Sequence, residues 1–192
     1  MNKREFLGVA ALASAGPVLG QAPASAGKGP ALLTVTGAIG RPNRGPFDPA
    51  LDQMMHKQKI SFERAFTLDF TALANLPAFN IKPTLEYDGK PHMLRGPLLL
   101  DVLAFAGARP ADSARLVLRA VDGFAVTLGV EKARRQRFMV ATHLDGKPMP
   151  LGGLGPLWAV IDADHVAELA SKPLAERFGE CPWALYHIEV PA

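Results

Sequence analysis

Three Asp-Gly dipeptides, Asp88-Gly89, Asp122-Gly123 and Asp145-Gly146, punctuate this chain between short apolar or alternating stretches. Asp-Gly readily adopts the left-handed backbone of a tight hairpin turn, so each dipeptide directs its flanks toward antiparallel strands. Three such turns within about 60 residues leave no room for a helical bundle. They predict a strand-dominated domain in which helices are short insertions.

The stretches between these turns agree. Ala31 to Ile39 alternates and is rich in Val, Thr and Leu, a first strand ended by Gly40 and Pro42. Asp48-Pro49 is expected to cap a short helix through Lys57, with Leu51, Met54, Met55 and Gln58 on one side. Phe62–Phe70 reads as a strand, Thr71–Leu76 as one helical turn stopped by Pro77, and Phe79–Tyr87 as extended chain. The clearest helix has Pro97 in its first turn and the stripe Leu98, Leu99, Val102, Leu103 and Ala106 before Gly107. Strands follow at Arg115–Val121, Phe124–Gly129 and Arg137–Leu144. The loop Gly152-Gly153-Leu154-Gly155-Pro156 leads into the strand Leu157–Ile161. Asp164–Phe178 reads as a helix broken at Pro173, with Asp162 or Asp164 as a cap at its start, and Trp183–Val190 as the closing strand.

The N-terminus has a different character. Lys3-Arg4 precedes the apolar run Phe6–Leu19, interrupted by Gly16 and Pro17, and Ala24-Ser25-Ala26 supplies a small-x-small cleavage pattern. The run is shorter than the ~20 residues of a membrane-spanning helix. Residues 1–26 are therefore expected to be a signal peptide, with Gly27 the new N-terminus and the product periplasmic or secreted. Lys3-Arg4-Glu5-Phe6-Leu7 also resembles a twin-arginine signal with Lys in the first position, so both export routes stay open. No second long apolar run exists, and no membrane span is expected after cleavage.

Removing 26 of the 192 residues leaves 166, enough for one domain with a sizeable core. Lys3, Arg4 and Glu5 leave with the signal, so the net charge falls from +3 to +2, which gives no reason to expect nucleic acid as a partner. The local basic cluster Lys132, Arg134, Arg135 and Arg137 reads as a solvated turn between strands rather than an anion site. The single cysteine, Cys181, permits no internal disulfide. With no neighbouring base or second ligand in sequence, it is expected to be buried rather than a metal ligand or nucleophile.

Familiar catalytic signatures are missing: G-x-S-x-G, H-E-x-x-H, C-x-x-C-H and the phosphate loop G-x-x-x-x-G-K-[ST] do not occur. The histidines at 56, 92, 143, 165 and 187 lack ligand spacing and read as surface or hydrogen-bonded groups. The glycine loop 152–155 allows backbone amides to approach an anion, or is simply tight.

Ordered blocks carry more information than any single motif. His92-Met93-Leu94-Arg95-Gly96-Pro97 with Asp101-Val102-Leu103-Ala104-Phe105-Ala106-Gly107 resembles the helix-leading segment of the sulfite oxidase family, with its "D-V-L-x-x-A-G" helix. Ala120-Val121-Asp122-Gly123-Phe124 resembles its A-x-D-G-Y strand pair, and Asp145-Gly146-Lys147-Pro148-Met149-Pro150 its D-G-x-P-L-P hairpin. Gly155-Pro156-Leu157-Trp158-Ala159-Val160 and Trp183–Val190 are similar to its G-P-x-x-x-V and W-x-x-x-I-x-V strands. The resemblance spans about residues 60–190. Residues 27–59 are then the N-terminal strand and linker region of the same domain, and 60–192 the molybdopterin-binding-like part.

The resemblance implies an α+β, strand-rich fold of the sulfite-oxidase molybdopterin-binding type. Family members hold molybdenum through the pterin dithiolene and one protein cysteine, and transfer oxygen atoms to or from small oxyanions or sulfoxides. The metal-binding cysteine would fall within Asn80–Leu85, where this chain has no thiol. The assisting tyrosine would fall at Phe124, which lacks the hydroxyl needed for proton transfer. The family's basic C-x-x-N-R-R-like stretch is also shortened. No catalytic and no metal-ligating residue is therefore assigned. The expected function is a non-catalytic or atypical member with a ligand-binding or accessory role, its ligand a small anion or pterin lined by Arg95, Phe124, His143, Gly152, Gly153 and Gly155. Arg95 is the foremost of these, because a guanidinium pairs bidentately with phosphate. A molybdopterin-dependent oxidoreductase, and an interaction module for a periplasmic protein partner without a small ligand, are the alternatives.

Overall fold

The computed structural model describes residues 29–191; the expected signal at 1–26 and its cleavage product's Gly27 lie outside them. The chain runs through β1 (Leu33–Gly37), α1 (Gln53–Lys57), β2 (Ala65–Leu68), α2 (Phe70–Ala74), β3 (Ala78–Ile81) and β4 (Leu94–Pro97). It continues through α3 (Leu99–Phe105), β5 (Arg115–Ala120), β6 (Ala125–Gly129), α4 (Val130–Arg135), β7 (Met139–Ala141), β8 (His143–Leu144) and β9 (Lys147–Pro148). It closes with β10 (Trp158–Val160), α5 (Ala167–Ala170) and β11 (Leu185–Val190), with 3₁₀ turns at Ala163–His165 and Leu174–Glu176. The architecture is mixed α+β and strand-rich. No helix among the described residues is long and apolar enough to cross a membrane.

The Asp-Gly turns do what their chemistry predicts. Gly123 (φ 94°) joins β5 to β6 and Gly146 (φ 78°) joins β8 to β9, both antiparallel. Around Asp88-Gly89, Thr84 bridges Pro91 in antiparallel fashion.

The main sheet has the order β2-β1-β11-β5-β6. The last strand of the chain, β11, lies between the first, which it meets in parallel, and β5, which it meets antiparallel. Register aligns Leu33 with Leu68, Val35 with Phe66 and Ile188, and Leu118 with Ile188. These side chains therefore share one face, and all are buried in the principal core. The opposite face carries Thr34, Thr36, His187 and Arg119, and a second small cluster of Met55, Ile60 and Tyr186 accompanies it, with Phe47 and Phe62 at its edge.

A second layer consists of the sheet β3-β4-β8-β9 and the pair β7-β10. α3 joins it to the core through Leu99, Val102 and Leu103.

Several expectations shift. Pro97 ends strand β4 instead of opening the helix, because β4 pairs residue by residue with β3 through Ala78–Pro97; α3 starts two residues later, where the Leu99 N–H donates to the Phe138 carbonyl at 2.8 Å. Asp48 makes the expected cap contacts, its Oδ1 accepting the N–H groups of Ala50 and Leu51, but over a turn, and the expected helix at 48–57 is regular only at Gln53–Lys57. Met55 is buried on it, whereas Leu51 (82 % exposed) and Met54 (42 %) point outward. The 137–144 strand is split at Thr142 into β7 and β8. Asp162 makes no side-chain cap at the 3₁₀ turn; it faces His165.

The basic cluster is not a turn but mostly helix α4, whose Val130 and Ala133 meet the core at i, i+3 spacing. Its charges are matched locally. Lys132 pairs with Glu180, Arg134 with Asp112, and Arg135 with Glu131 and Glu168, while Arg137 lies over the Phe79 ring at 5.0 Å.

Candidate functional site

The residues proposed from sequence divide between two places. Arg95 and His143 sit directly opposite each other on β4 and β8, beside Asn80 on β3. The His143 ring lies 5.4 Å from Phe70, and its Nδ1 is 2.8 Å from Thr142 Oγ1. Burial, reinforced by the Arg95 charge, lowers the His143 pKa and favours neutral imidazole beside an exposed guanidinium. Arg95 therefore remains an open cationic group on a strand.

The glycine loop connects β9 to β10. The Gly153 amide turns back toward the Pro150 carbonyl, Leu151 bridges Gly155, and buried Gly155 packs against Met149, so the loop is closed on itself. Its Leu154 carbonyl accepts the Ala184 N–H at 3.1 Å, which buttresses the segment leading into β11.

Phe124 lies elsewhere, at the β5–β6 turn, on the wall of a cleft of about 260 Å³ lined also by Glu86, Tyr87, Asp122, Phe178, Cys181 and Trp183. Arg95 and His143 are not among its lining residues. Three aromatic side chains from three segments converge here, and each remains open to solvent: Tyr87 at 55 %, Phe124 at 47 % and Trp183 at 38 %. A larger depression of about 550 Å³ near Arg109, Arg115 and Pro191 has no aromatic lining.

The cleft's walls are positioned by the turns that shaped the fold. Asp122 Oδ1 accepts the Phe124 N–H at 2.9 Å, which fixes Phe124 at the hairpin tip. Tyr87 immediately precedes Asp88, and His92 ties that turn to the third one, with Nε2 3.0 Å from Asp88 and Nδ1 2.7 Å from Asp145. These two hydrogen bonds raise the His92 pKa, so the clamp is strongest when His92 is cationic. The cleft floor is equally fixed: Trp158 Nε1 donates to the Cys181 carbonyl at 2.8 Å, and the Trp158 ring packs 5.7 Å from Phe178.

Tyr87 and Trp183 were not foreseen. The available signal was modest: each is one of only two residues of its type in the chain, and Tyr87 flanks an Asp-Gly turn as Phe124 does.

The donor chemistry does not fit a thiolate-held molybdenum. Residues 80–85 offer no thiol, and Thr84 is engaged with Asp164 through its N–H. Burial pushes the Cys181 thiol up to about 12, so it stays protonated at neutral pH. Among the described residues no group of three His, Cys, Asp or Glu side chains is arranged to hold a metal. The Cys181 placement predicts that native protein leaves its thiol unmodified by a disulfide-exchange reagent at pH 7 for hours, then reacts fully in denaturant. A native thiol titrating within minutes would contradict it.

The chain matches no protein-family model and no curated protein.

Proposed function

We propose that this protein is a non-catalytic, ligand-binding member of the sulfite-oxidase type of molybdopterin-binding domain, acting after export, and that its ligand occupies the cleft between Tyr87, Phe124 and Trp183. The ordered sequence blocks support the kinship. The convergence of three half-exposed aromatic side chains on one cleft supports the binding role and is the observation that carries it. Surfaces seldom leave a Tyr, a Phe and a Trp open together without a partner for them. Phe124 in place of the family's tyrosine, and a cysteine that burial keeps protonated, leave the cleft without the family's catalytic hydroxyl and without a thiolate to offer a metal.

Two measurements test the reading. Protein purified after export should carry no stoichiometric molybdenum; a one-to-one metal content would overturn the non-catalytic role. Trp183 should also report binding, since Trp158 is fully buried and serves as an internal reference. Titration with 6-hydroxymethylpterin and with choline should give a saturable fluorescence change for at least one of them. Phe124→Ala should weaken that binding about tenfold with little loss of stability, because its ring is half exposed. Absence of a saturable change with both probes would overturn the cleft as the site.

A further inference from the structure

We propose that the cleft takes a small organic cation, such as a quaternary ammonium group, and not the anionic ligand expected of the fold's relatives. This rests on the reading of the cleft as the binding site, and adds its ligand class. The lining residues include two carboxylates, Glu86 and Asp122, and no Lys, Arg or His. Neither carboxylate is in an ion pair among the described residues, and the nearby cations are engaged elsewhere: Lys132 with Glu180, Arg177 with Asp164, and Arg119 with Glu189. A phosphate brought beside one such carboxylate would be repelled. The same two charges attract a cation.

The aromatic walls have the same preference. The faces of Trp, Tyr and Phe carry negative quadrupole potential, and several rings around one position form the usual cage for an alkylated ammonium. Tyr87 keeps its proton, since partial burial, the neighbouring Glu86 charge and the hydrogen bond between the two side chains push its phenol up to about 12, so it contributes a neutral ring. Size narrows the class further. Drug-sized ligands fill about 300–1,000 Å³; a cleft of about 260 Å³ suits a headgroup with a short substituent. Phe178 and Pro182 add apolar lining that disfavours a fully hydrated inorganic ion.

The test compares choline chloride with 3,3-dimethylbutan-1-ol, its neutral isostere, by calorimetry on the full chain, with 6-hydroxymethylpterin and inorganic phosphate alongside. Choline should bind at least tenfold more tightly than the isostere, and phosphate should show no binding in the cleft. In Glu86→Gln/Asp122→Asn, which keeps an acceptor oxygen for the Phe124 N–H, the preference should shrink to below about threefold. Trp183→Leu should weaken choline while leaving the melting curve in place. Equal binding of choline and the isostere, or tighter binding of the pterin, would overturn the cationic class while leaving the cleft as a binding site. Loss of Trp183 response to every probe would overturn both.

Discussion

Gly96→Ala should destabilise the domain by about 3–5 kcal/mol, the cost of forcing atoms into a packed interior that has no room for them. A Cβ at Gly96 would lie 2.0 Å from the Val140 carbonyl oxygen and 2.8 Å from Ala141 Cα. Both are backbone atoms of β7, so no rotamer change can relieve the overlap. β4 would have to withdraw from β7. That retreat would disturb the hydrogen bond from the Thr142 N–H to the Arg95 carbonyl at 2.9 Å, and with it the pairing of Arg95 with His143. At about 2–4 °C per kcal/mol for a domain of this size, the melting temperature should drop by about 10–15 °C. Gly45→Ala is the matched control: a Cβ there meets nothing within 4 Å. Thermal melts followed by circular dichroism decide the matter. A Gly96→Ala protein melting within about 2 °C of the parent would show that β4 and β7 are not held as closely as this.

Gly96 also shows how far the sequence carries. The Arg95-Gly96-Pro97 block stood out as a pattern, and the strands around the Asp-Gly turns followed from local backbone chemistry. The buried stripe of α3 followed from periodicity. What escaped was set by distant partners. Pro97 joins a strand because β3 pairs with it, and β3 lies 16 or more residues earlier. α4 looked like a charged turn because its two core contacts, Val130 and Ala133, are embedded among cations whose matching carboxylates lie at 112, 168 and 180. The cleft was legible only at Phe124. Tyr87 and Trp183 reach it from positions 37 residues before and 59 residues after, through chain folding that no local pattern encodes. A pair such as Arg95 and His143 is likewise a property of strand register, not of spacing.

His187 was unremarkable in sequence, yet it should give the protein its steepest acid sensitivity. It lies fully buried in β11, between strands that pair with it on both sides. Arg119 can only donate, so its contact with His187 Nδ1 at 3.1 Å requires that nitrogen to be the acceptor. The ring proton is then on Nε2, which donates to Thr36 Oγ1 at 2.9 Å. A second proton would turn Nδ1–H against the guanidinium, whose charge Glu189 only partly offsets at 2.9 Å. Burial, then the Arg119 charge, lowers the His187 pKa from 6.5 to about 3. The unfolded chain thus binds a proton that the folded chain refuses between those values. Stability from this group is complete above about pH 6.5 and is lost as pH falls toward 3, by about 1.4 kcal/mol per unit and on the order of 5 kcal/mol in all. Denaturant unfolding at pH 6.5, 6.0 and 5.5 isolates the effect, because the carboxylates with lowered pKa values, Asp52 and Asp164 among them, are still ionised there. His92 and His165, whose pKa values are raised, lose their contribution only as pH climbs above 6.5. His143 shifts the same way as His187 and is the remaining contributor. His187→Gln, which can still donate to Thr36 and accept from Arg119, should flatten the slope by nearly one proton at a modest cost at pH 7. His143→Gln should remove less. An unchanged slope in His187→Gln would mean that the ring reaches solvent or accepts its second proton in place, and that the strip of Thr36, His187 and Arg119 is not sealed between the sheet and the segment covering it.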